Sequence, residues 1–329
     1  MGFSRFMDDV GVRNMWFYRR PPVEGTPEDA RHLVALPPER QHVPVTEPTV
    51  TLQTPVARDG VELTHLSFPS QRPSGHARVD TVRLTRLSRR NGPGARRRAV
   101  IVAHGAYATS WDRPLLFVPD PRRARWDTFA LELPHHMTRQ RADSLYSGAH
   151  MVTGDVVRIT DGILQSDADI RATVLALRAM GYERIVIGGI SIGASPTMQA
   201  LQNIEVDGAF GLVPSVDAYV GLWDSLLGRC LRPVGNRAGI TDDLAREVLR
   251  VITPAALGAP RVAPANVLLV YGKDDLVCVP AEARGLSRAW GGCALRELPC
   301  GHATFIMFYP RVRRMVNAWI ERCMMGECS

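Results

Sequence analysis

Short apolar runs alternate with longer amphipathic segments along the chain from residue 98 onwards. This alternation is typical of parallel strands joined by helices that cover both faces of one sheet. In the segment 167–180, Ile170, Val174 and Leu177 recur at helical spacing, and Gly181 follows as a helix-ending glycine. The pattern predicts strands at 98–103, 128–133, 184–188, 209–213, 267–270 and 295–298, and helices at 167–180, 191–201 and 308–323.

Two segments interrupt this alternation. Residues 20–48 are rich in Pro and Arg, which favours an extended arm, and residues 49–56 and 78–87 alternate as antiparallel edge strands. Residues 215–262 contain helical pieces such as 242–251. An insertion at this point would lie over the carboxyl ends of the strands, where open α/β sheets bind ligands, so we expect a lid.

The predicted organisation is α/β, with a mostly parallel central sheet that is flanked by helices. Residues 1–95 are expected to form the N-terminal arm and edge strands. Residues 96–214 and 263–325 are expected to form the core, and residues 215–262 a helical lid insertion.

Gly189, Ser191 and Gly193 form the pattern Gly-Ile-Ser-Ile-Gly between a predicted strand and a predicted helix. In this context a strained turn exposes a serine hydroxyl above the sheet, and the glycines let neighbouring backbone approach. A five-residue pattern of this kind also arises by chance, but its position between strand and helix favours a catalytic turn. We therefore predict that Ser191 is a nucleophile.

A serine hydroxyl becomes an effective nucleophile when a base takes its proton. Where this turn is used, the chain order is serine, acid, histidine, so the base is expected near the C-terminus. His302 lies between the last predicted strand and the last predicted helix, and no other histidine follows His150. We predict that His302 is the base; the alternative is a surface histidine.

Three aspartates are candidates for the acid that orients His302. Asp274 and Asp275 follow one predicted strand, and Asp217 follows an earlier one. A buried carboxylate in such a place fixes the histidine tautomer and stabilises the imidazolium. We favour Asp275 because it lies three residues after the turn glycine, Gly272. We expect Asp274 to face solvent or pair with Lys273.

Acyl transfer also needs hydrogen-bond donors for the oxyanion that develops on the carbonyl oxygen. The backbone amide of Ile192, after the nucleophile, is one predicted donor, and the loop after the strand at 98–103 supplies the amide of Ala106 as the second. We expect the side chain of His104 to be structural. His135 and His136 follow a strand end, and we expect at most one of them to face substrate.

Several motifs that are scattered over nearly the whole chain match a known family. They lie at residues 18–20, 26–29, 103–105, 113–115, 131–134, 189–193, 273–280, 290–293 and 301–302. In these motifs the chain resembles the family of α/β-hydrolase domain-containing protein 18, within the α/β-hydrolase superfamily. The most specific of them are the Gly-Ile-Ser-Ile-Gly turn and the two C-terminal stretches that carry Asp275 and His302.

The resemblance implies the α/β-hydrolase fold and the triad Ser191, Asp275 and His302, and it favours Asp275 over Asp274. Lipid acyl esters are the substrates that the family implies. The chain departs from the family pattern at Ala194, where a second glycine is expected, so the packing behind Ser191 is expected to differ.

Composition bears mainly on partners. The chain has 329 residues and a formal net charge of +7, and Lys273 is its only lysine, so the positive charge is almost entirely arginine. Arginine clusters at 89–90, 96–98 and 122–125 suit an anionic lipid surface or an acidic carrier protein, or simply a solvated surface. No nucleic-acid-binding motif accompanies them, so we expect no nucleic-acid partner.

Cysteine spacing and apolar runs bear on location and cofactors. The six cysteines lack the paired spacing of metal sites, so we expect no metal and no cofactor. No apolar run is long enough for a transmembrane helix, and the N-terminus lacks the apolar stretch of a secretory signal. We therefore predict reduced thiols and a cytoplasmic location.

These observations favour a serine hydrolase that cleaves an ester, thioester or lipid acyl bond of a small molecule or lipid through an acyl-enzyme. One alternative keeps the triad but passes the acyl group to an alcohol or amine, or closes a ring, as an acyltransferase or cyclase does. Another is a binding module that is catalytically silent. An intact triad argues against the module, because a protein without catalysis has no physical need for all three residues.

Overall fold

A computed structural model describes residues 2–16, 22–89 and 98–327. The motif at 18–20, the arginines at 90, 96 and 97, and Cys328 lie outside the described residues. The strands of the described part are β1 (Thr51–Leu52), β2 (Val56–Arg58), β3 (Val61–Pro69), β4 (Thr81–Arg89), β5 (Arg98–Ala103), β6 (Asp127–Leu131), β7 (Arg184–Ile190), β8 (Gly208–Leu212), β9 (Val267–Gly272) and β10 (Ala294–Leu298).

These strands form one sheet in the order β1-β3-β4-β6-β5-β7-β8-β9-β10, and β2 pairs with β3. Strands β5 to β10 are parallel to one another, and β4 pairs antiparallel with β6. The order of the parallel strands reverses at β5, which lies between β6 and β7. Ligand sites of open α/β sheets lie at the carboxyl ends of the strands beside such a reversal.

The helices of the described part are α1 (Phe3–Trp16), α2 (Pro27–Ala35), α3 (Pro38–Gln41), α4 (Val156–Ala179), α5 (Ala194–Ala200), α6 (Gly228–Arg237), α7 (Asp242–Arg250), α8 (Pro280–Ala289) and α9 (Tyr309–Met325). None of these helices combines the length and the apolar character that crossing a bilayer requires. Helices pack on both faces of the sheet.

The two faces follow from the alternation of side chains along each strand. Ile101 and Ile187 belong to a buried cluster that includes residues of α4, α5 and α8. Val100 and Val186, one position earlier on the same strands, belong to a second cluster that includes residues of α9. The central strands are therefore apolar on both sides, which explains why they appear in the sequence as continuous apolar runs.

The mostly parallel sheet with flanking helices confirms the predicted fold class, and the six predicted parallel strands are present with bounds within two residues of those expected. The long strand β3, which lies between the predicted edge strands at 49–56 and 78–87, was not predicted. The helix predicted at 167–180 is the second half of α4, which begins at Val156. Its first half buries Thr160 and Gln165 and its second half buries Asp167, Asp169 and Arg171, so α4 has no separate polar face over most of its length.

The prediction of an extended arm at 20–48 was wrong, since α2 and α3 lie within this segment. Thr26 caps α2: its hydroxyl accepts a hydrogen bond from the amide of Asp29, and the Asp29 carboxylate accepts one from the amide of Thr26. Pro27 stands at the first helical position. Proline there favours a helix because its missing N–H has no intrahelical partner in any case.

Residues 215–262 contain a short π-helical turn, Val220–Asp224, followed by α6 and α7. Their apolar side chains, among them Trp223 and Leu231, form a buried cluster with residues of α2 and of the first half of α4. Ile192, next to the predicted nucleophile, belongs to the same cluster. The predicted lid segment therefore packs beside the turn that carries Ser191.

Candidate active site

Ser191 lies in a sharp turn between β7 and α5. Its φ is +54°, a left-handed conformation that is costly for a residue other than glycine. A Cβ on Gly189 would lie 2.3 Å from the carbonyl oxygen of Gly193, and a Cβ on Gly193 would lie 2.4 Å from the carbonyl oxygen of His104. Both positions therefore require glycine, and the close contact between loops holds the turn in its strained form.

The structure brings the three predicted triad residues together. The hydroxyl of Ser191 lies 3.2 Å from Nε2 of His302, and Nδ1 of His302 lies 2.9 Å from Oδ2 of Asp275. The other carboxylate oxygen of Asp275 accepts hydrogen bonds from the backbone amides of Val277 (2.9 Å) and Cys278 (2.8 Å). The Asp275 carboxylate is thus fully buried, oriented at both oxygens and aimed at the imidazole.

The electrostatics of His302 follow from this arrangement. Burial of the imidazole disfavours its charged form, but the negative charge of Asp275, helped by the hydrogen bond between them and by contact with Cys278, outweighs burial. The pKa of His302 is therefore raised well above its ordinary value of 6.5. A raised pKa is suited to a group that accepts a proton and then holds it as an imidazolium beside a carboxylate.

The other two candidate acids lie elsewhere. The carboxylate of Asp274 is partly exposed to solvent and forms an ion pair with Arg5 of α1 at 3.5 Å, so its partner is Arg5 and not the Lys273 suggested by the sequence. Asp217 accepts a hydrogen bond from the amide of Val220 at 3.1 Å and so caps the turn at the start of the segment 215–262. Among the three aspartates, Asp275 is the one whose carboxylate meets the imidazole.

A cavity of about 920 Å³ opens at Ser191 and His302. Both predicted oxyanion residues, Ala106 and Ile192, line it. The loop that carries Ala106 packs closely on the turn, since a Cβ on Gly105 would lie 3.3 Å from Cβ of Ser191. Apolar side chains from separate parts of the chain form much of the remaining wall: Val12, Phe117, Val152, Leu222, Leu227 and Phe305.

Cys278 is a residue of this cavity that the sequence analysis did not identify. Its sulfur lies 4.0 Å from the hydroxyl of Ser191, and its side chain is buried and also contacts His302. Burial raises the pKa of the Cys278 thiol to about 12, so the thiol stays neutral at physiological pH. The motif at 273–280 includes this cysteine, but no pattern gave it a role, because it reaches the cavity only through the path of the loop after Asp275.

The sheet order and the strained turn of Ser191 define an α/β-hydrolase fold. Among solved structures, the chain is similar to acetyl xylan esterase from Paenibacillus sp. R4, with a TM-score of 0.60 and 14% identity over 97% of this chain and 99% of that one. It is also similar to acetyl xylan esterase 1 from Thermoanaerobacterium sp. JW/SL YS485, with a TM-score of 0.56 and 14% identity over 92% of this chain and 98% of that one.

A third similar structure is the acylaminoacyl peptidase of Pyrococcus horikoshii, with a TM-score of 0.55 and 15% identity over 80% of this chain and 42% of that one. Identities this low show the shared fold alone. No family model and no curated protein sequence matches the chain. The resemblance to the family of α/β-hydrolase domain-containing protein 18 therefore stays a prediction.

The side chain of His104 supports the loop beside the turn. Its Nε2 accepts a hydrogen bond from the amide of Leu133 at 3.1 Å, and its Nδ1 lies 2.8 Å from the carbonyl oxygen of Gly105. The Nδ1–H tautomer satisfies both contacts, and burial lowers the pKa of His104 well below its ordinary value. These contacts are those of a structural histidine, as expected from the sequence.

His135 and His136 do not line the cavity at Ser191. His136 is fully buried against the ring of His104, with ring centroids 4.8 Å apart, and His135 lines a second cavity of about 510 Å³. Burial lowers the pKa of His136 to about 4 and that of His135 to about 2. Within the described residues no group of three His, Cys, Asp or Glu side chains is arranged to hold a metal ion.

The buried neutral histidines predict that acid weakens the fold. Between pH 6.5 and about pH 4 the unfolded chain binds a proton that folded His136 does not, so the free energy of unfolding falls as the pH falls. Through His136 alone, the free energy of unfolding at pH 4 should be about 3 kcal/mol lower than at neutral pH. Urea unfolding at a series of pH values measures it.

In that measurement His136→Gln should make the dependence of the unfolding free energy on pH shallower between pH 6.5 and 4. His32→Gln, at an exposed position on α2, is the matched control and should leave the dependence as in the wild type. An equal slope for His136→Gln and wild type would show that His136 does not titrate with a lowered pKa.

Proposed function

We propose that the protein is a serine hydrolase that cleaves an ester, thioester or lipid acyl bond. The observation that carries this proposal is the continuous chain of contacts from Ser191 through His302 to Asp275, at 3.2 Å and 2.9 Å, on the wall of a cavity large enough for an acyl substrate. An activated serine with an oriented base is the arrangement that acyl transfer requires. The shared fold adds support but does not select the reaction.

In the first half of the reaction the hydroxyl of Ser191 attacks the carbonyl carbon, and its proton passes to Nε2 of His302. The resulting imidazolium is stabilised by Asp275, whose carboxylate accepts the hydrogen bond from Nδ1. The amides of Ala106 and Ile192 stabilise the oxyanion of the tetrahedral intermediate. His302 then donates its proton to the leaving alcohol or thiol as the bond to the carbonyl carbon breaks.

The second half repeats these steps with water. His302 accepts a proton from a water molecule as the water oxygen attacks the acyl carbon of the Ser191 ester. Collapse of the second tetrahedral intermediate returns the proton from His302 to the oxygen of Ser191 and releases a carboxylic acid. Bonds and protons balance without a metal or cofactor.

The lining of the cavity supports a substrate with an apolar acyl group. Leu222 and Leu227 of the segment 215–262 face it from one part of the chain, and Phe117 and Phe305 face it from others. Arg113 and Asp112 add polar groups to the same lining. Apolar walls with a few polar groups are typical of pockets that bind small molecules and lipid acyl chains.

Ser191→Ala should abolish covalent labelling by a fluorophosphonate probe and lower the rate of p-nitrophenyl ester hydrolysis by roughly 10⁴-fold or more, because it removes the hydroxyl that lies 3.2 Å from the proposed base. Mass spectrometry of the labelled peptide locates the modified residue. Ser67→Ala, four strands away along the sheet on β3, is the matched control and should label like the wild type. Unlabelled but folded wild-type protein would contradict the proposal.

Asp275→Asn should lower kcat by about 10⁴-fold, because an amide in this position favours the wrong tautomer of His302. Asp274→Asn should change kcat by less than about fivefold, because its ion pair with Arg5 is partly exposed and such pairs contribute little. Steady-state kinetics on both variants compares the two. A larger loss for Asp274→Asn would overturn the assignment of the acid.

The raised pKa of His302 predicts the pH dependence of the reaction. The imidazole accepts a proton only when it is neutral, so kcat/KM on an uncharged ester should rise with pH through an apparent pKa above 6.5. Below this pKa the imidazolium predominates and activity is lost. A rising limb centred at or below pH 6.5 would show that Asp275 does not stabilise the imidazolium in the free enzyme.

A further inference from the structure

The N-terminal helix α1 carries a buried carboxylate into the neighbourhood of the triad. Asp8 is 2% exposed, and it accepts three backbone hydrogen bonds. Its Oδ2 accepts from the amides of Leu276 at 3.0 Å and His302 at 2.9 Å, and its Oδ1 accepts from the amide of Ala303 at 2.7 Å. These partners belong to the two loops that carry the acid and the base of the proposed triad.

We propose that Asp8 is a positioning residue that fixes the loop of Asp275 and the loop of His302 relative to each other. This inference rests on the proposed function, because it assigns Asp8 a part in the same reaction. Asp8 also lines the cavity at Ser191, but its three hydrogen bonds go to backbone amides and not to the side chains of the triad. It acts through the backbone of His302 itself and through that of Leu276, the residue next to Asp275.

Asp8 binds the loops of both partners in the hydrogen bond between His302 and Asp275. The contact between His302 Nδ1 and Asp275 Oδ2 is 2.9 Å long, and its two residues come from separate loops after β9 and β10. Because Asp8 holds backbone amides on both loops, a change in its position separates or rotates the two partners. A displacement of about 1 Å in a catalytic group can reduce turnover by about 10²-fold.

A carboxylate is the side chain that suits these three donors. Each carboxylate oxygen can accept more than one hydrogen bond, and bonds from amides to a charged acceptor are stronger than those to a neutral one. An asparagine would keep one oxygen but would turn its NH₂ group towards a backbone N–H. A buried donor without an acceptor is destabilising, so the loops would move apart to find other partners.

Two further contacts tie α1 to the site. Arg5 pairs with Asp274 in the loop of the acid, at 3.5 Å. Gly11 and Val12, on the turn after Asp8, line the cavity at Ser191. The helix is therefore both a wall of the cavity and the support of its catalytic loops, although it stands nearly 300 residues before His302 in the sequence.

Asp8→Asn compared with Asp9→Asn tests the proposal. Both changes remove one negative charge from α1, but Asp9 is bonded to Arg13 on the helix surface at 2.7 Å. We expect Asp8→Asn to lower kcat for p-nitrophenyl ester hydrolysis by about 10²-fold with little change in KM. Asp9→Asn should retain the wild-type kcat.

A spectroscopic measurement separates positioning from general loss of stability. The imidazole proton on Nδ1 of His302 gives a low-field NMR signal when it is bonded to Asp275, and His302→Gln identifies that signal. We expect Asp8→Asn to lose this signal and to lower the pKa of His302 in an NMR titration, at a temperature where the variant is folded. Asp9→Asn should keep both. A wild-type signal, His302 titration and kcat in Asp8→Asn would overturn the proposal.

Gly301→Ala tests the same contact from the other side if Asp8→Asn does not fold. A Cβ at Gly301 would lie 2.6 Å from Oδ2 of Asp8, so it should displace the carboxylate without a change in charge and weaken the same NMR signal. Gly285→Ala, where a Cβ meets no atom within 4 Å, is the control. Equal His302 spectra in these two glycine variants would overturn the role of Asp8.

The NMR readout also distinguishes the two proposals. Absence of fluorophosphonate labelling in the wild type would contradict the serine hydrolase, while the low-field signal would still report whether Asp8 holds His302 against Asp275. Normal labelling and hydrolysis in Asp8→Asn would leave the hydrolase intact and contradict the positioning role alone.

Discussion

The contact between the turn of Ser191 and the loop after β5 is the constraint on which the site depends. Gly193 approaches the carbonyl oxygen of His104 so closely that no side chain fits, and Ser191 takes a left-handed backbone conformation beside it. Such strain persists when the surrounding structure over-determines it. Here the parallel strands β5 and β7 are neighbours in the sheet, so their carboxyl ends hold the two loops in contact and Ile192 and Ala106 stay on one cavity wall.

Two buried carboxylates organise the remaining part of the site by the same chemistry. Asp275 directs one oxygen to His302 and the other to the backbone of its own loop, and Asp8 directs both oxygens to backbone amides of two loops. Burying a charge is costly unless hydrogen bonds compensate it, and each carboxylate has at least three. Their charges are thus held in fixed positions, which is the preorganisation that an imidazolium intermediate requires.

Much of this fold was predictable because its central strands are buried on both faces and its site residues follow strand ends. Ser191 could be assigned from its glycine-flanked turn, His302 from chain order and Asp275 from its distance after the turn glycine, and the structure places the three in contact. Asp8 could not be assigned from the sequence, because its role depends on a contact across nearly 300 residues that no local pattern records. The cap of α2 at Thr26 differs: its signal was present in the sequence and was outweighed by the surrounding prolines and arginines.

The walls of the cavity determine which substrate the site accepts, and they come largely from outside the strand ends that carry the triad. Val12 of α1 and Leu222 of the segment 215–262 face the same space as Ser191. Both segments lie outside the strands of the sheet. Under the proposed function, the strand ends supply the triad, whereas selectivity for an acyl group depends on α1 and the segment 215–262. Because α1 also holds the loops of Asp275 and His302, a change in this helix alters substrate fit and turnover together.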